Sequence, residues 1–167
     1  SDWMCGITGR THAGNSYVGK STQDYGFIYN GGVYHNTTNT TSGYDALADD
    51  GTGILGVYLD LDNGKLYFGA DGTIQNSGTG IDIVALSTLD HGSWTPAFGD
   101  GGSGTATGSF NFGNGSFGSS AVASANADAN GYGSFEFDPS DGGGSSFDSA
   151  AKDFLAICSK NLGSDGG

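Results

Sequence analysis

The sequence predicts an all-β fold, an antiparallel β-sandwich or jelly roll, and three observations carry this prediction. Glycine supplies 33 of the 167 residues, which indicates many turns. The acids are 17 Asp against one Glu, and Asp favours turns whereas Glu favours helix interiors. Ten Phe, eight Tyr and two Trp recur between the turn residues, as is typical of short strands around an aromatic core.

The charge of the chain narrows the classes of partner. Eighteen acids against five Lys and Arg give a formal net charge of −13. Such a field repels phosphate, so nucleic acids and anionic membranes are disfavoured partners. No apolar run approaches the roughly 20 residues of a spanning helix, so no membrane association is expected.

The clearest element is a hairpin centred on Asn63-Gly64. Residues 54–60 and 65–69 are strand-like, and Asn-Gly between two apolar runs is typical of a type I′ turn, in which both central residues have positive φ. Asp71-Gly72 repeats this pattern. Residues 53–75 therefore predict a three-stranded meander, and Gly64→Val is expected to be damaging.

Shorter elements flank this meander and bring the predicted total to eight to ten strands with no helix. Asn30-Gly31-Gly32 predicts a second hairpin over residues 26–33. The run at residues 81–86 fits a strand or one helical turn equally well. Further strands are predicted at residues 3–8, 94–98 (with Pro96 at an edge or start), 109–113, 133–137 and 154–158. Loops are predicted at residues 35–53, 99–108 and 114–130, with a linker at 141–146.

Asp60-Leu61-Asp62-Asn63-Gly64 resembles the start of a calcium-binding loop. The spacing between Asp62 and Asn63 is wrong for that motif, and the expected downstream Glu is missing. Turn chemistry explains these residues better, so we expect no metal and no calcium at Asp60 or Asp62.

The remaining candidate chemical groups are scattered. His12, His35 and His91 lack the spacing of a zinc motif, and no serine lies in a nucleophile elbow. Cys5 and Cys158 fall in apolar runs, where free thiols are expected rather than a disulfide, although a bridge stays open. No cofactor and no catalysis are expected.

Several segments resemble SPRY domains. GILGVYLDLDNGKLYFGADGT, at residues 53–73, resembles their central hairpin. WMCGITG, WTPAFG and SFNFG follow the family's order at residues 3–9, 94–99 and 109–113. NADANGYGSFEFDPS and then FLAICSKNL, ending at Leu162, resemble the C-terminal extension of SPRY-like proteins from tailed phages, marine phages notably.

The resemblance implies a bent antiparallel β-sandwich of the concanavalin A-like type over residues 1–162, followed by a flexible tail at 163–167. The strand that precedes the first core strand in the family is missing. The chain is therefore expected to be the C-terminal part of a longer protein. An insertion at residues 141–149 also separates two segments that lie close together in the family.

The resemblance also implies a function. The chain is expected to be a non-catalytic virion surface protein of the tail fibre or spike kind, made in the host cytoplasm. It would bind a glycan or protein receptor on the host surface, and would form homo-oligomers within the particle beside other virion proteins. Two alternatives stay open: a structural capsid decoration or assembly protein, and a glycan hydrolase on a lectin-like scaffold, which would need paired carboxylates in a groove.

The predicted receptor contacts surround the polar segment at residues 35–44, because exposed aromatic rings supply rigid stacking area. For each tyrosine a core position remains the alternative. Deletion of residues 35–44 is expected to abolish host adsorption and to leave folding intact. The candidate residues are Tyr25, Tyr29, Tyr34, His35, Asn36, Asn39 and Tyr44.

Overall fold

The computed structural model describes residues 2–12, 16–48, 50–102, 104–140 and 154–162. The predicted all-β, antiparallel class is confirmed, since these residues form eleven strands and only short 3-10 helices. The strands are β1 (Trp3–Thr8), β2 (Asp24–Ile28), β3 (Val33–His35), β4 (Thr38–Thr40), β5 (Leu55–Asp60), β6 (Lys65–Ala70), β7 (Thr73–Ile74), β8 (Ile81–Asp82), β9 (Thr95–Asp100), β10 (Ser116–Phe117) and β11 (Ser120–Ala121). The 3-10 helices are Asn76–Gly78, Leu86–Thr88 and Ser159–Leu162.

The strands form two main antiparallel sheets. Sheet A has five strands in the order β4-β3-β2-β1-β9. Sheet B contains β5, β6 and β7 in that order, and β8 also pairs with β6. A separate hairpin joins β10 to β11. Within the described ranges, no helix is long and apolar enough to cross a membrane.

The core lies between the two sheets, so they pack face to face as in a β-sandwich. Phe27 of sheet A and Phe68 of sheet B have ring centroids 5.6 Å apart. Alternation along each strand directs every second side chain into this layer. The buried residues of this cluster are Ile7, Tyr25, Phe27, Val33, Tyr44, Leu47, Leu66 and Phe68.

A second, smaller cluster covers the opposite face of sheet B. Tyr58, Tyr67 and Ile74 are buried there, with Phe154 packed against them. The Phe154 ring lies edge-on to Tyr58 at 5.3 Å between centroids. Residues near the C-terminal end of the described chain thus close a face that the first core leaves uncovered.

The predicted meander is present, although one of its turns differs in type. Asp71 and Gly72 both have positive φ between paired Ala70 and Thr73, as a type I′ turn requires. Residues 61–64 instead form a four-residue loop closed by the pairing of Asp60 with Lys65. In that loop Gly64 alone has positive φ, at 63°, so the type I′ prediction was wrong at this turn.

Asp60 explains the longer loop. Its carboxylate accepts hydrogen bonds from the Asn63 backbone N–H at 3.0 Å and from the Asn63 side-chain N–H at 2.7 Å. A short Asp side chain that binds backbone three residues ahead competes with tighter turns. The residues that resembled a calcium loop therefore stabilise a hairpin turn.

The hairpin over residues 26–33 is confirmed by the pairing of Phe27 with Val33. The run at residues 81–86, which fitted a strand or a helical turn, contains part of each: it supplies β8 and the first residue of a 3-10 helix. Pro96 lies in β9, which is confirmed as an edge strand. Its position pairs with Ile7, whose backbone groups point to β2, so the missing N–H costs sheet A no hydrogen bond.

The predicted loop at residues 35–53 was wrong in its first part, because β4 pairs with β3 there. The turn between them holds Asn36 and Thr37 at positive φ, 49° and 64°. Positive φ is uncommon for a β-branched residue such as Thr37, which is why the sequence did not predict this hairpin.

Three predicted strands in the C-terminal part were also wrong. Residues 109–113 and 154–158 contain no strand, and residues 133–137 make only the isolated bridge of Phe135 to Asn126. The predicted loop at 114–130 instead contains β10 and β11. Asn and Asp side chains here bind backbone groups that a sheet would otherwise pair. The predicted linker at 141–146, the insertion at 141–149 and the tail at 163–167 lie outside the described residues.

Candidate functional site

The structure divides the predicted receptor contacts between the two faces of sheet A. Tyr34 is paired with Asn39, and Tyr25 is paired with His35. Adjacent residues of a strand point to opposite faces. Tyr34 and Asn39 therefore lie on the outer face, which is turned away from sheet B, while Tyr25 and His35 lie on the inner one.

Tyr25 and Tyr44 are core residues. Tyr25 is 1% exposed, and its hydroxyl donates to the Asp82 carbonyl at 3.2 Å and accepts from the Val84 N–H at 3.2 Å. Burial raises the pKa of Tyr25 above its usual range and raises the pKa of Tyr44 to about 12. Neither ring offers a face to a binding partner.

His35 is half-buried and lies flat against Tyr25, with 4.1 Å between ring centroids and 5° between ring planes. Its Nδ1 lies 3.0 Å from the Asp24 carbonyl oxygen. A carbonyl oxygen can only accept, so Nδ1 carries the proton in this contact. Tyr29 lies in the β2–β3 turn, where its ring is 6.4 Å from that of Trp3.

The outer face of the β3–β4 hairpin carries an aromatic pair that includes a residue the sequence analysis missed. Tyr17 meets Tyr34 edge-on, with centroids 5.7 Å apart and an interplanar angle of 82°. Both side chains are partly exposed. No local sequence motif indicates this contact. In the structure it depends on Gly19, which has a φ of 104° and where a Cβ would come within 2.4 Å of Tyr34.

The strained turn of this hairpin is attached to the same segment. The Asn36 N–H donates to the Ser21 carbonyl at 3.2 Å, and the Thr37 N–H donates to the Gly19 carbonyl at 3.1 Å. All three residues of β4 are exposed and none is charged. Residues in strained backbone conformations persist only where surrounding contacts hold them.

A buried carboxylate holds the segment that carries Tyr17. Asp24 is fully buried, and the guanidinium of Arg10 contacts both of its oxygens at 2.8–3.2 Å. The Thr8 hydroxyl donates to it at 2.7 Å and the Ser21 N–H at 3.1 Å. A buried charge is tolerated when it is paired and fully hydrogen-bonded, and this network fixes residues 16–21 over sheet A.

Glycine lets that segment approach the sheet closely. A Cβ at Gly26 would lie 2.4 Å from the Val18 carbonyl oxygen. Any side chain at residue 26 would therefore lift the segment and separate Tyr17 from Tyr34.

We name Tyr17, Tyr34, Asn36, Thr37 and Asn39 the hairpin surface. Its side chains are aromatic rings, amides and a hydroxyl, which stack on and hydrogen-bond to neutral polar groups. In the described part of the chain, no group of three or more His, Cys, Asp or Glu is placed to hold a metal ion. Cys5 and Cys158 are both free thiols.

No protein-family model matches this chain, and no curated protein matches it.

Proposed function

We propose that this chain is a non-catalytic recognition module of the SPRY-like type, carried on the surface of a tailed-phage virion. In this proposal it binds a glycan or protein receptor on the host through the hairpin surface. The observation that carries the proposal is the strained, uncharged β3–β4 turn, held against Tyr17 and Tyr34 by the buried Asp24 network.

Three properties of the hairpin surface support recognition. Tyr rings give contact area at a low cost in side-chain entropy. The Asn36 and Asn39 amides add donors and acceptors, and β4 is exposed along its whole length. The anchoring network fixes the surface in advance, which lowers the ordering cost of binding.

The test is binding of the labelled protein to host cells and to an array of bacterial surface glycans. Tyr34→Ala and Asn39→Ala are each expected to weaken binding at least tenfold, since contacts at the centre of an interface contribute most. Tyr132→Ala is the matched control, because Tyr132 is a 38%-exposed tyrosine in the C-terminal part. Equal binding by all four proteins would contradict the proposal.

Deletion of residues 35–44 is not expected to leave folding intact, so it is not a usable test. It would remove β4 and the core residue Tyr44, whose ring packs against Phe27 at 6.5 Å between centroids. Loss of adsorption would then report unfolding, so single substitutions on the outer face are needed.

A second candidate function, assembly within the particle, is favoured by exposed apolar side chains in the C-terminal part. Phe110, Phe112, Leu155 and Ile157 are 43–70% exposed. Exposed apolar groups of this size are typical of contact surfaces between proteins when they are contiguous. Sedimentation of the wild type against Ile157→Ser tests this: an oligomer lost in the variant would favour assembly, and a monomer in both would count against it.

The hydrolase alternative has less support. Cleavage of a glycosidic bond uses two carboxylates on a groove, and the lining of the groove beside β9 includes one acidic residue, Asp100. Release of reducing sugar from host polysaccharide by the purified protein would overturn the non-catalytic proposal.

A further inference from the structure

A cleft of about 310 Å³ opens on the outer face of sheet A. His12, Ser16 and Val18 form one wall, and residues 96–100 of β9 form the other. Its volume falls at the lower end of the range for small-molecule sites, roughly 300–1,000 Å³.

The floor of the cleft is open because β9 carries small residues there. Ala97 pairs with Gly6, and Gly99 pairs with Met4, so both lie on the outer face. A Cβ at Gly99 would find no atom within 4 Å, and its φ is not in the left-handed region. Space above Gly99 is thus available to a ligand and could be filled by a larger side chain.

The opposite wall is held in place. The Arg10 Nη2 donates to the Ser16 hydroxyl oxygen at 2.6 Å, and the same guanidinium is paired with buried Asp24. His12 Nε2 lies 3.0 Å from the Thr8 hydroxyl and 3.2 Å from an Asp24 oxygen. The wall therefore rests on the buried network, which makes the cleft preformed.

The lining offers hydrogen-bond donors and acceptors. Ser16 accepts from Arg10, which leaves its own O–H to donate. The Gly101 N–H donates to the Asp2 carbonyl oxygen, so every second residue of β9, Gly99 included, hydrogen-bonds to β1. Phe98 lies between these positions, and its backbone N–H and C=O therefore point away from β1, to the open edge of sheet A. These groups suit a ligand that carries several hydroxyls.

Charge determines which polar ligands fit. Arg10 is neutralised by Asp24, so its guanidinium does not attract an anion into the cleft. The lining residues include neither Lys nor Arg, and the chain carries a net charge of −13. Phosphate and acidic sugars are therefore repelled.

We propose that this cleft binds one neutral sugar residue. The inference rests on the proposed function only in taking the ligand to be a glycan. The cleft would hold one sugar residue of the glycan. The hairpin surface, on the same face of sheet A, would contact the rest of that receptor.

The experiment is an amide chemical-shift titration of the isolated protein with D-glucose, D-galactose, D-mannose and N-acetylglucosamine, each added separately. At least one sugar is expected to shift the amides of Ala97, Gly99 and Val18 with saturation. Inorganic phosphate and ethanolamine, at matched concentrations, are expected to leave those amides unshifted. No shift with any of the four sugars, or a stronger response to either charged probe, would overturn the proposal.

Two variants locate the site. Gly99→Leu fills the cleft and is expected to raise the dissociation constant of the sugar at least tenfold, with Ser120→Leu on exposed β11 as the control. Ser16→Ala removes one hydroxyl without adding bulk and is expected to weaken binding severalfold, which provides a test if Gly99→Leu does not fold. Unchanged affinity in a folded Gly99→Leu protein would overturn the assignment.

Failure here is distinguishable from failure of the proposed function. Tyr34→Ala is expected to reduce cell binding and to leave the monosaccharide titration unchanged. Cell binding that persists without any monosaccharide response would overturn the cleft alone. A monosaccharide response without cell binding would overturn the receptor proposal alone.

Discussion

The two-sheet region at residues 2–100 and the region beyond it are stabilised in different ways. The first uses backbone ladders and buried aromatic rings, as in the pairing of β1 with both β2 and β9. In its described part, the second has the short hairpin β10–β11 and the isolated bridge of Asn126 to Phe135, and side chains bind many of its other backbone groups. Regions of similar composition can thus be stabilised by a packed sandwich core in one case and by local hydrogen bonds between side chains and backbone in the other.

The Asp128 carboxylate links separate segments of the second region by hydrogen bonds. One of its oxygens accepts from the backbone N–H of Ala156 at 2.8 Å and from the side chain of Asn161 at 2.6 Å. The other accepts from the backbone N–H of Tyr132 at 2.8 Å and of Asn130 at 3.0 Å. A single carboxylate thereby joins the segment at residues 128–132 to the one at 154–162.

The largest difference is expected from removal of a phenyl ring in each region. Phe27→Ala should lower the free energy of unfolding by about 3–5 kcal/mol, because Phe27 is fully buried between the sheets. Phe112→Ala should change it by less than about 0.5 kcal/mol, because Phe112 is 45% exposed. Denaturant titration measures both, and equal effects would show that the regions do not differ in packing.

Removal of the Asp128 carboxylate is expected to destabilise only the segments that it joins. Asp128→Ala leaves buried donors unpaired and should cost about 1–3 kcal/mol. Hydrogen exchange should accelerate at Ala156 and Tyr132 and stay unchanged in β1. Asp50→Ala is the control, since exposed Asp50 accepts hydrogen bonds from the nearby Thr52 backbone N–H and hydroxyl. Acceleration throughout sheet A would mean that the two regions unfold as one unit.

A backbone effect is expected at the central hairpin. Gly64 has a φ of 63° and open space around its Cα. Gly64→Val should therefore cost about 1–2 kcal/mol through backbone strain alone. Gly99→Val serves as the comparison, because Gly99 also has open space but no positive φ, and the thermal midpoint should fall more for Gly64→Val than for Gly99→Val.

Acid is expected to release the contacts of the Asp128 carboxylate. Desolvation opposes ionisation of Asp128, but the four hydrogen bonds that its carboxylate accepts hold its pKa below the usual range. A lowered folded-state pKa gives stabilisation that is complete above the unfolded value of about 3.9 and is lost as the pH falls through the folded pKa. Exchange at Ala156 should accelerate only below about pH 4, and loss of protection already at pH 6 would contradict this.

The smallest expected effect concerns the two thiols. Burial raises the pKa of Cys5 to about 11, against a smaller lowering by the backbone N–H of Gly6. Cys5 should therefore resist a thiol reagent at neutral pH, whereas Cys158, in the irregular region, should react first. Both should react after denaturation without reductant, and a total of zero free thiols would reveal a disulfide.

The two regions also differ in how far the sequence predicted them. Apolar patterning and Asn-Gly or Asp-Gly turns act over a few residues, so β1, β2, β3, β5, β6, β7 and β9 were predicted near their observed positions. The turn at Asn36-Thr37 was not, because its strain is compensated by Gly19 and Ser21, which are distant in sequence. The apolar run at residues 154–158 fits a strand by composition alone. Its Ala156 N–H donates to the Asp128 carboxylate, however, and is therefore not available to a neighbouring strand.

The candidate site was predicted only in part, for the same reason. The sequence placed the tyrosines around one polar segment, and strand alternation then divided them between a buried and an exposed face. Tyr17 could not be associated with Tyr34 without the Arg10–Asp24 contact, which joins residues 14 positions apart. The cleft depends on the same Arg10–Asp24 contact, and no local sequence motif indicates it.

The pairing of β1 with β9 also determines the order in which the molecule can be built. Trp3 of β1 lies opposite Asp100 of β9, so β1 cannot gain its second neighbour until nearly the whole sandwich sequence has left the ribosome. The β5–β6 hairpin needs only a four-residue loop. Because closing a long loop costs more entropy than closing a short one, sheet B should nucleate folding and sheet A should complete it. During synthesis, β1 keeps one backbone edge unpaired until β9 arrives, and an unpaired strand edge is where pairing with other nascent chains occurs.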